Sequence, residues 1–403
     1  MMKRLLTIIL FVIVCTASGC AHDECEDRSP GISDNEVRMS ADDLTEYTAW
    51  NNNIYGMGTR QIVASPDGYY ALEGGGERQF LTFIDRVDMK ERYLCGKPEC
   101  RHVENDSPSM IGEEALETCN ACVGYAIRGS LAYYNGYVYY LKYNADNNEV
   151  MLARVSDDGG MHEDLMMIGH TIDNGNYFTY VFIDESTLML THNNIKVENN
   201  WTAELYRIDI EKKNMELMYS LEGEQAMFEK TDYINNRVFF MARETVLGKR
   251  RSKLLCINVD KAEISEIAGD NVSSYVFSPD NRLYVYKEGE GLIRITDDTE
   301  ECILEADADT MAAALSCDGK YIYMDNSDTH YMYDKQIKMS VTVCDTDGNK
   351  IGVIPYDELY ALYIELSDPD YLIAYSYRKE GDWTWAYYKK EDIMNGYWNF
   401  IGH

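Results

Sequence analysis

Cys95, Cys100 and His102 fall within eight residues in "YLCGKPECRH", and Cys119 and Cys122 follow in "CNAC". Thiolate and imidazole are the ligands that tetrahedral zinc takes, and close pairs on either side of a loop can surround one ion. Cys119 and Cys122 have the spacing of a knuckle, Cys95 and Cys100 are set wider but workably, and His102 offers a nitrogen. A structural site needs four ligands, so one candidate is spare. The same thiols also suit disulfides, as Cys95–Cys119 with Cys100–Cys122 or in the crossed pairing, at roughly 3 kcal/mol per bridge. Two further readings are independent buried thiols and a redox pair at Cys119 and Cys122, the latter without the βαβ pattern that would house it. Bridges leave His102 with nothing to do, which tips the balance slightly towards metal. None of these readings marks the cluster as catalytic.

The elements that must position this cluster are strands. Turn-plus-strand units recur as "SPDGYYAL", "YNGYVYYL", "DESTLMLT", "INNRVFFM", "SPDNRLYVY", "CDGKYIYM" and "SDPDYLIAY". Each joins a short polar turn to an apolar or alternating run, which is a hairpin signal. The turns at Gly68, Gly136, Ser186, Asn236, Asn281, Gly319 and Asp370 are separated by 68, 50, 50, 45, 38 and 51 residues. A period of ~40–50 residues with several strands per repeat is the mark of a β-propeller. The expected fold is therefore all-β, a single propeller of seven four-stranded blades over residues 46–403. A β-sandwich followed by a second all-β domain is the competing arrangement, but no linker divides the units. The first separation is ~20 residues too long for the period. Its surplus places the cysteine motif in an insertion, residues 93–128, between blades one and two.

Composition agrees with this architecture. Hydrophobic residues are 45% of 403, enough for a sizeable core, and 33 Tyr beside 7 Pro suit pleated, half-buried surfaces. The net charge is 37 − 69 = −32. Such a surface repels phosphate backbones, which excludes nucleic acid as a partner.

The N-terminus "MMKRLLTIILFVIVCTASGC" has a short positive region at Lys3 and Arg4 and a ten-residue apolar run. That run is too short to span a bilayer and reads as a secretory signal over residues 1–19. Ala17-Ser18-Gly19-Cys20 resembles the bacterial lipobox, which implies lipid on Cys20 and a membrane-held, extracytoplasmic chain. Residues 20–45 are acidic and aperiodic, and read as a tether.

The motif around the cysteines resembles that of a group of propeller lipoproteins of Gram-positive anaerobes. In that group Leu-Cys-x-x-Pro-x-Cys-x-His is followed by Cys-x-Ala, matched here by Leu94, Cys95, Pro98, Cys100, His102, Cys119 and Ala121. The stretch between His102 and Cys119 is longer here, and Cys122 is an additional thiol. The group carries no assigned activity, so the resemblance implies architecture and address alone.

Other signals are structural. Cys256 and Cys344 alternate with strand residues and read as buried thiols. Cys302 and Cys317 carry no assignment. Asp345 to Lys350, "DTDGNK", lacks the third acidic position, the Gly at loop position six and the closing Glu of a calcium loop and reads as a hairpin turn; Asp307 and Asp309 read as an exposed loop. Trp201, Trp383 and Trp385 fit packing between blades. Nucleophile-elbow, phosphate-loop and zinc-protease motifs are absent from the sequence. The functional expectation is a surface-anchored propeller that binds a glycan, peptide or protein, with no catalysis. The alternative is an extracellular glycan hydrolase or lyase that uses paired carboxylates.

Overall fold

Four of the seven turns marked by the sequence are turns because the backbone there enters the left-handed region, which Gly and Asn tolerate and other residues resist; those at Gly68 and Ser186 are closed instead by the side chains of Ser65 and Asp184. Gly136, Asn236, Asn281 and Gly319 have φ of 78°, 59°, 62° and 90°. Each joins the first and second strands of a four-stranded unit. The computed structural model describes residues 61–75, 78–97, 100, 119–127, 129–170, 176–194, 200–296, 299–306, 314–326, 340–355, 360–367, 370–378, 383–391 and 401–402. Residues 1–60, with Cys20 and the tether, and His102 lie outside them, as do Asp307 and Asp309.

Blade one is β1 (Ile62–Ala64), β2 (Gly68–Gly75) and β3 (Arg78–Asp85), with its outer position shared by β4 (Glu91–Tyr93) and the start of β5 (Cys122–Ala126). Blade two is β6 (Ala132–Tyr134), β7 (Tyr137–Asn144), β8 (Glu149–Ser156) and β9 (His162–His170). Blade three is β10 (Asn176–Phe182), β11 (Thr187–Asn194), β12 (Asn200–Asp209) and the first half of β13 (Asn214–Ile234). The second half of β13 opens blade four, followed by β14 (Arg237–Val246), β15 (Lys249–Asn258) and β16 (Ile264–Ala268). Blade five is β17 (Val272–Phe277), β18 (Leu283–Lys287), β19 (Gly291–Thr296) and β20 (Thr299–Glu305). Blade six is β21 (Ala314–Cys317), β22 (Tyr321–Asp325), β23 (Ser340–Asp345) and β24 (Lys350–Pro355). Blade seven is β25 (Tyr360–Ser367), β26 (Tyr371–Arg378), β27 (Trp383–Lys389) and β28 (Ile401–Gly402).

All pairings are antiparallel within each blade. The apolar core lies between blades. Separate buried clusters join blades two and three, three and four, four and five, five and six, and six and seven, while a larger one runs from blade seven through one to two. This is a seven-bladed β-propeller, in which no blade can bury both faces without its neighbours. It explains the tyrosines. Rings fill the seams, and their hydroxyls reach backbone carbonyls across them: Tyr180 Oη to Ser130 O at 2.6 Å, and Tyr275 Oη to Lys230 O at 3.1 Å. One seam also holds a buried ion pair, where Arg243 donates to Glu229 Oε1 (2.9 Å) and Ser273 O (2.9 Å).

Two crossovers between blades are continuous strands. β13 pairs with β12 as an outer strand and then with β14 as an inner one, and Gln225, with φ of 55°, sits at the change. β5 repeats this in short form: Cys122 and Gly124 pair with β3, and Tyr125 and Ala126 pair with β7. Gly124, with φ of 69°, occupies the switch.

Candidate metal centre at the neck of the blade-one excursion

The outer strand of blade one is interrupted opposite a single residue. Leu94 N–H donates to Leu81 O (2.9 Å), and Leu81 N–H donates to Ala121 O (2.8 Å). The chain thus leaves the blade after Leu94 and returns at Ala121 beside the point of departure. The excursion therefore interrupts the outer strand of blade one itself, and its neck is where three of the thiols meet.

The Sγ atoms of Cys95, Cys100 and Cys119 all lie within 4.8 Å of one another. Cys119 is buried, and Cys95 and Cys100 are half-buried. Phe80 and Ala121 form the floor, with Tyr93 packed edge-on against Phe80 at 5.4 Å between ring centres. Two turns hold the thiols: Cys100 N–H donates to Lys97 O (3.1 Å), and Cys122 N–H donates to Cys119 O (3.1 Å). Among the described residues no two cysteines are joined by a disulfide.

The thiols differ in proton affinity. Burial raises Cys95, but the backbone N–H groups of Lys97 and Asn120 and the thiols of Cys100 and Cys119 together bring it below the ordinary value. N–H donors aimed at sulfur favour thiolate, the form that binds metal. Burial first, and then the hydrogen bond shared with Cys100, pushes Cys119 up to about 12. A divalent ion would reverse that order, because its charge deprotonates a coordinating thiol outright. The donor set fits a metal of the zinc type. Three soft ligands converge, a fourth candidate follows Cys100 by two residues, and the neck is sheltered by aromatic side chains.

The neck is fixed to blade two by backbone contact. Gly96 N–H donates to Gly159 O (3.0 Å), and the Asn120 amide donates to Gly159 O (2.8 Å) and Gly160 O (3.1 Å). Asn120, Gly159 and Gly160 are not ligand types, so the sequence does not mark them as ligands. Their signal was the paired glycine in "SDDGG", one more glycine than the β8–β9 turn requires.

Cys122 stands apart from the trio, on β5, and Tyr140, which donates to or accepts from His162 Nε2 at 2.5 Å, lies in the field of its thiol. Cys256, Cys317 and Cys344 are buried in strands and Cys302 is exposed. Trp385 is buried at a seam and Trp201 is half-buried. Asp345 accepts from the N–H groups of Asp347 (3.0 Å) and Asn349 (2.8 Å), so "DTDGNK" is a hairpin turn closed by its own side chain.

One carboxylate pair stands at the seam of blades one and seven. The Trp385 indole N–H donates to Glu73, and Thr82 Oγ1 donates to Glu91 Oε1 (2.7 Å). Burial, and then the charge of Glu91, pushes Glu73 up to about 8 against the effect of the indole bond.

No protein-family profile matches the chain, and no curated protein matches it. Among solved structures, an oligogalacturonate lyase in complex with manganese is similar with a TM-score of 0.52 and 11% identity, over 86% of this chain and 90% of that one. A quinonprotein alcohol dehydrogenase-like protein from Bacteroides thetaiotaomicron is similar with a TM-score of 0.51 and 12% identity, over 82% and 79% of the two chains. The β-propeller domain of the Trilobed protease from Pyrococcus furiosus gives a TM-score of 0.46 at 7% identity, over 83% and 93%. The chain spans about half the length of the acylaminoacyl peptidases it matches, 45% of one and 52% of another. At these identities the likeness concerns the fold alone, and the fold is the β-propeller.

Proposed function

We propose that this chain is an extracytoplasmic binding propeller, held to a membrane face by lipid on Cys20, with a structural zinc ion closing its blade-one excursion. The observation that carries the zinc reading is the convergence of Cys95, Cys100 and Cys119 within 4.8 Å at the point where the broken outer strand leaves and returns. Thiolates bound at ~2.3 Å around a tetrahedral ion stand ~3.8 Å apart, so loading asks for a small contraction only. His102 supplies the fourth ligand. The anchor rests on the "ASGC" sequence, and the ligand is a glycan, peptide or protein, since the charge of −32 turns polyanions away.

Metal analysis of the full chain purified without oxygen tests the centre. One zinc per chain is expected, and a chelator should speed proteolysis between residues 101 and 118 while the blades stay folded. Zinc-free protein with bridged thiols would sink it. For the anchor, wild type should partition into detergent and Cys20→Ala into water; a freely secreted wild type overturns the anchor.

A second reading has one observation in its favour. Glu73 is pushed towards neutrality and its neighbour Glu91 is exposed, which is the asymmetry that a glycan hydrolase or lyase demands of an acid and a base. Oligosaccharide cleavage by wild type that is lost in both Glu73→Gln and Glu91→Gln would establish it over the non-catalytic reading.

A further inference from the structure

Among the described residues one hairpin outreaches the others. The second strand of blade four, β14, has ten residues, where the second strands of the other blades have eight or five. These strands start at equivalent turns and run the same way, so at ~3.4 Å per residue the β14–β15 tip stands ~7 Å beyond the longer ones and ~17 Å beyond the shorter. Pairing with β13 ends at Thr245, and pairing with β16 begins only at Leu254. The tip is a bare two-stranded ribbon.

Its apex is a two-residue turn, Leu247 and Gly248, with φ of 53° and 72°. Such turns favour Asn-Gly, because a bulky residue resists positive φ. Leu247 bears that strain while 96% exposed, so no packing within the fold offsets it. Charge reverses here as well. Between Val246 and Arg251 the chain has Lys249, Arg250 and Arg251, all exposed, and no acid. The nearby anions are set behind the apex: Glu244 opposite Arg251, Glu224 opposite Thr245, and Glu266, which holds Lys253 at 2.7 Å. At the same end of the propeller the corresponding turns of blades five and two are acidic, with Glu288, Glu290 and Asp146 exposed. Salt screens charges more than ~8 Å apart, so a tip of this reach is shielded from most of a chain of net charge −32. The chain also enters the body at this end. Gln61 O accepts from Leu72 N–H (2.8 Å), which places the start of β1 beside the far half of β2, on the face that bears the tip.

We infer that the Leu247–Gly248 tip docks on an anionic phospholipid bilayer, the membrane that holds the chain. This deepens the membrane-anchored reading above and rests on it. Leu247 leaves water for the headgroup boundary, and Lys249, Arg250 and Arg251 meet lipid phosphates from both faces of the ribbon, since alternate strand residues point opposite ways. A convex apex has no groove to enclose a peptide, and a flat charged surface suits it. The tether and the tip then share one end of the propeller and hold the same face to the membrane.

The test is limited trypsin digestion of the full lipidated chain in vesicles of phosphatidylcholine, or of an equal mixture with phosphatidylglycerol, with fragments identified by mass. Cutting after Lys249, Arg250 and Arg251 should be at least tenfold slower on the anionic vesicles, and high salt should restore it. Lys212 and Lys213, in the β12–β13 turn at the opposite end, should be cut alike on both and serve as the internal control. Leu247→Ser keeps every cleavage site and should lose most of the difference. Val87→Ser, which changes another apolar side chain that is 92% exposed, should keep it. Equal cutting at the tip on the two vesicle types overturns the docking. So does equal protection by soluble hexaglutamate, because the tip then reads an acidic peptide. Either result leaves the anchor standing, since detergent partitioning decides Cys20 separately. Should wild type prove unanchored, the same digest with soluble chain and excess vesicles is expected to show the same inequality, and equal cutting there overturns the docking too.

Discussion

Gly96 and Gly159 meet backbone to backbone, with Gly96 N–H donating to Gly159 O at 3.0 Å. A Cβ on Gly159 would stand 2.7 Å from Cys95 N, and one on Gly96 would stand 2.8 Å from Asp158 O. Gly159 also has φ of 68°. Gly159→Ala therefore combines a left-handed alanine with a clash against backbone, at about 2–3 kcal/mol. Since the displaced atoms belong to Cys95, weaker zinc retention is expected along with a lower melting temperature. Gly248→Ala, at φ of 72° with open space around it, should show a smaller stability loss and unchanged zinc.

Replacing Arg243 tests the buried pair. Arg243→Met leaves Glu229 desolvated without its cation and should cost about 3–5 kcal/mol in denaturant unfolding. The double variant Arg243→Met with Glu229→Gln should recover much of that loss. Equal losses in single and double variants would show that packing, and not charge, governs this seam.

Glu73 gives stability a pH dependence of known sign. Its carboxyl is raised from 4.5 to about 8 in the folded chain, so the folded state keeps a proton that the unfolded state releases. Stability should fall as pH rises across that window, because the unfolded state binds fewer protons there. The melting temperature of wild type should drop relative to Glu73→Gln between pH 5 and pH 8, and the two should run parallel below pH 4. Parallel curves throughout would mean that Glu73 is ionised in the fold.

The crossover switches offer a matched pair of substitutions. Gln225→Gly places the permissive residue at a left-handed position and should stabilise by about 1 kcal/mol, whereas Gly124→Ala should destabilise by about as much. Chemical denaturation of the two variants reads both signs at once.

Blade number and blade start were legible in the sequence because four of the seven blades open on a turn with positive φ and the others on short polar turns of the same period. Gly136, Asn236, Asn281 and Gly319 announce those turns by residue type alone. The cysteine cluster was legible as well, since ligand types at short spacing do not depend on the fold. The break opposite Leu81 was not. It is a long-range pairing between residues on either side of the excursion, and spacing says nothing of which strand receives them. The continuous β13 was hidden for a related reason: "SLEGEQAMFE" reads as a polar interruption, yet its strand is held by β12 on one side and β14 on the other. Tertiary pairing there overrides local propensity. Asn120 was passed over because its work is done by an amide reaching backbone carbonyls 39 and 40 residues on.

Among the described residues, all four strands of blade seven come from the C-terminal segment, and β25 packs on β1 without exchanging a strand. That joint relies on side chains: Trp385 on Glu73, Arg86 on Asp370 at 3.4 Å, and the apolar cluster between them. Among the described residues the ring is therefore a split washer. Pulled on, or loosened by heat, it should part at this cut first, and amide exchange should report β1 and β25 opening together while the welded blades three and four still protect their hydrogens.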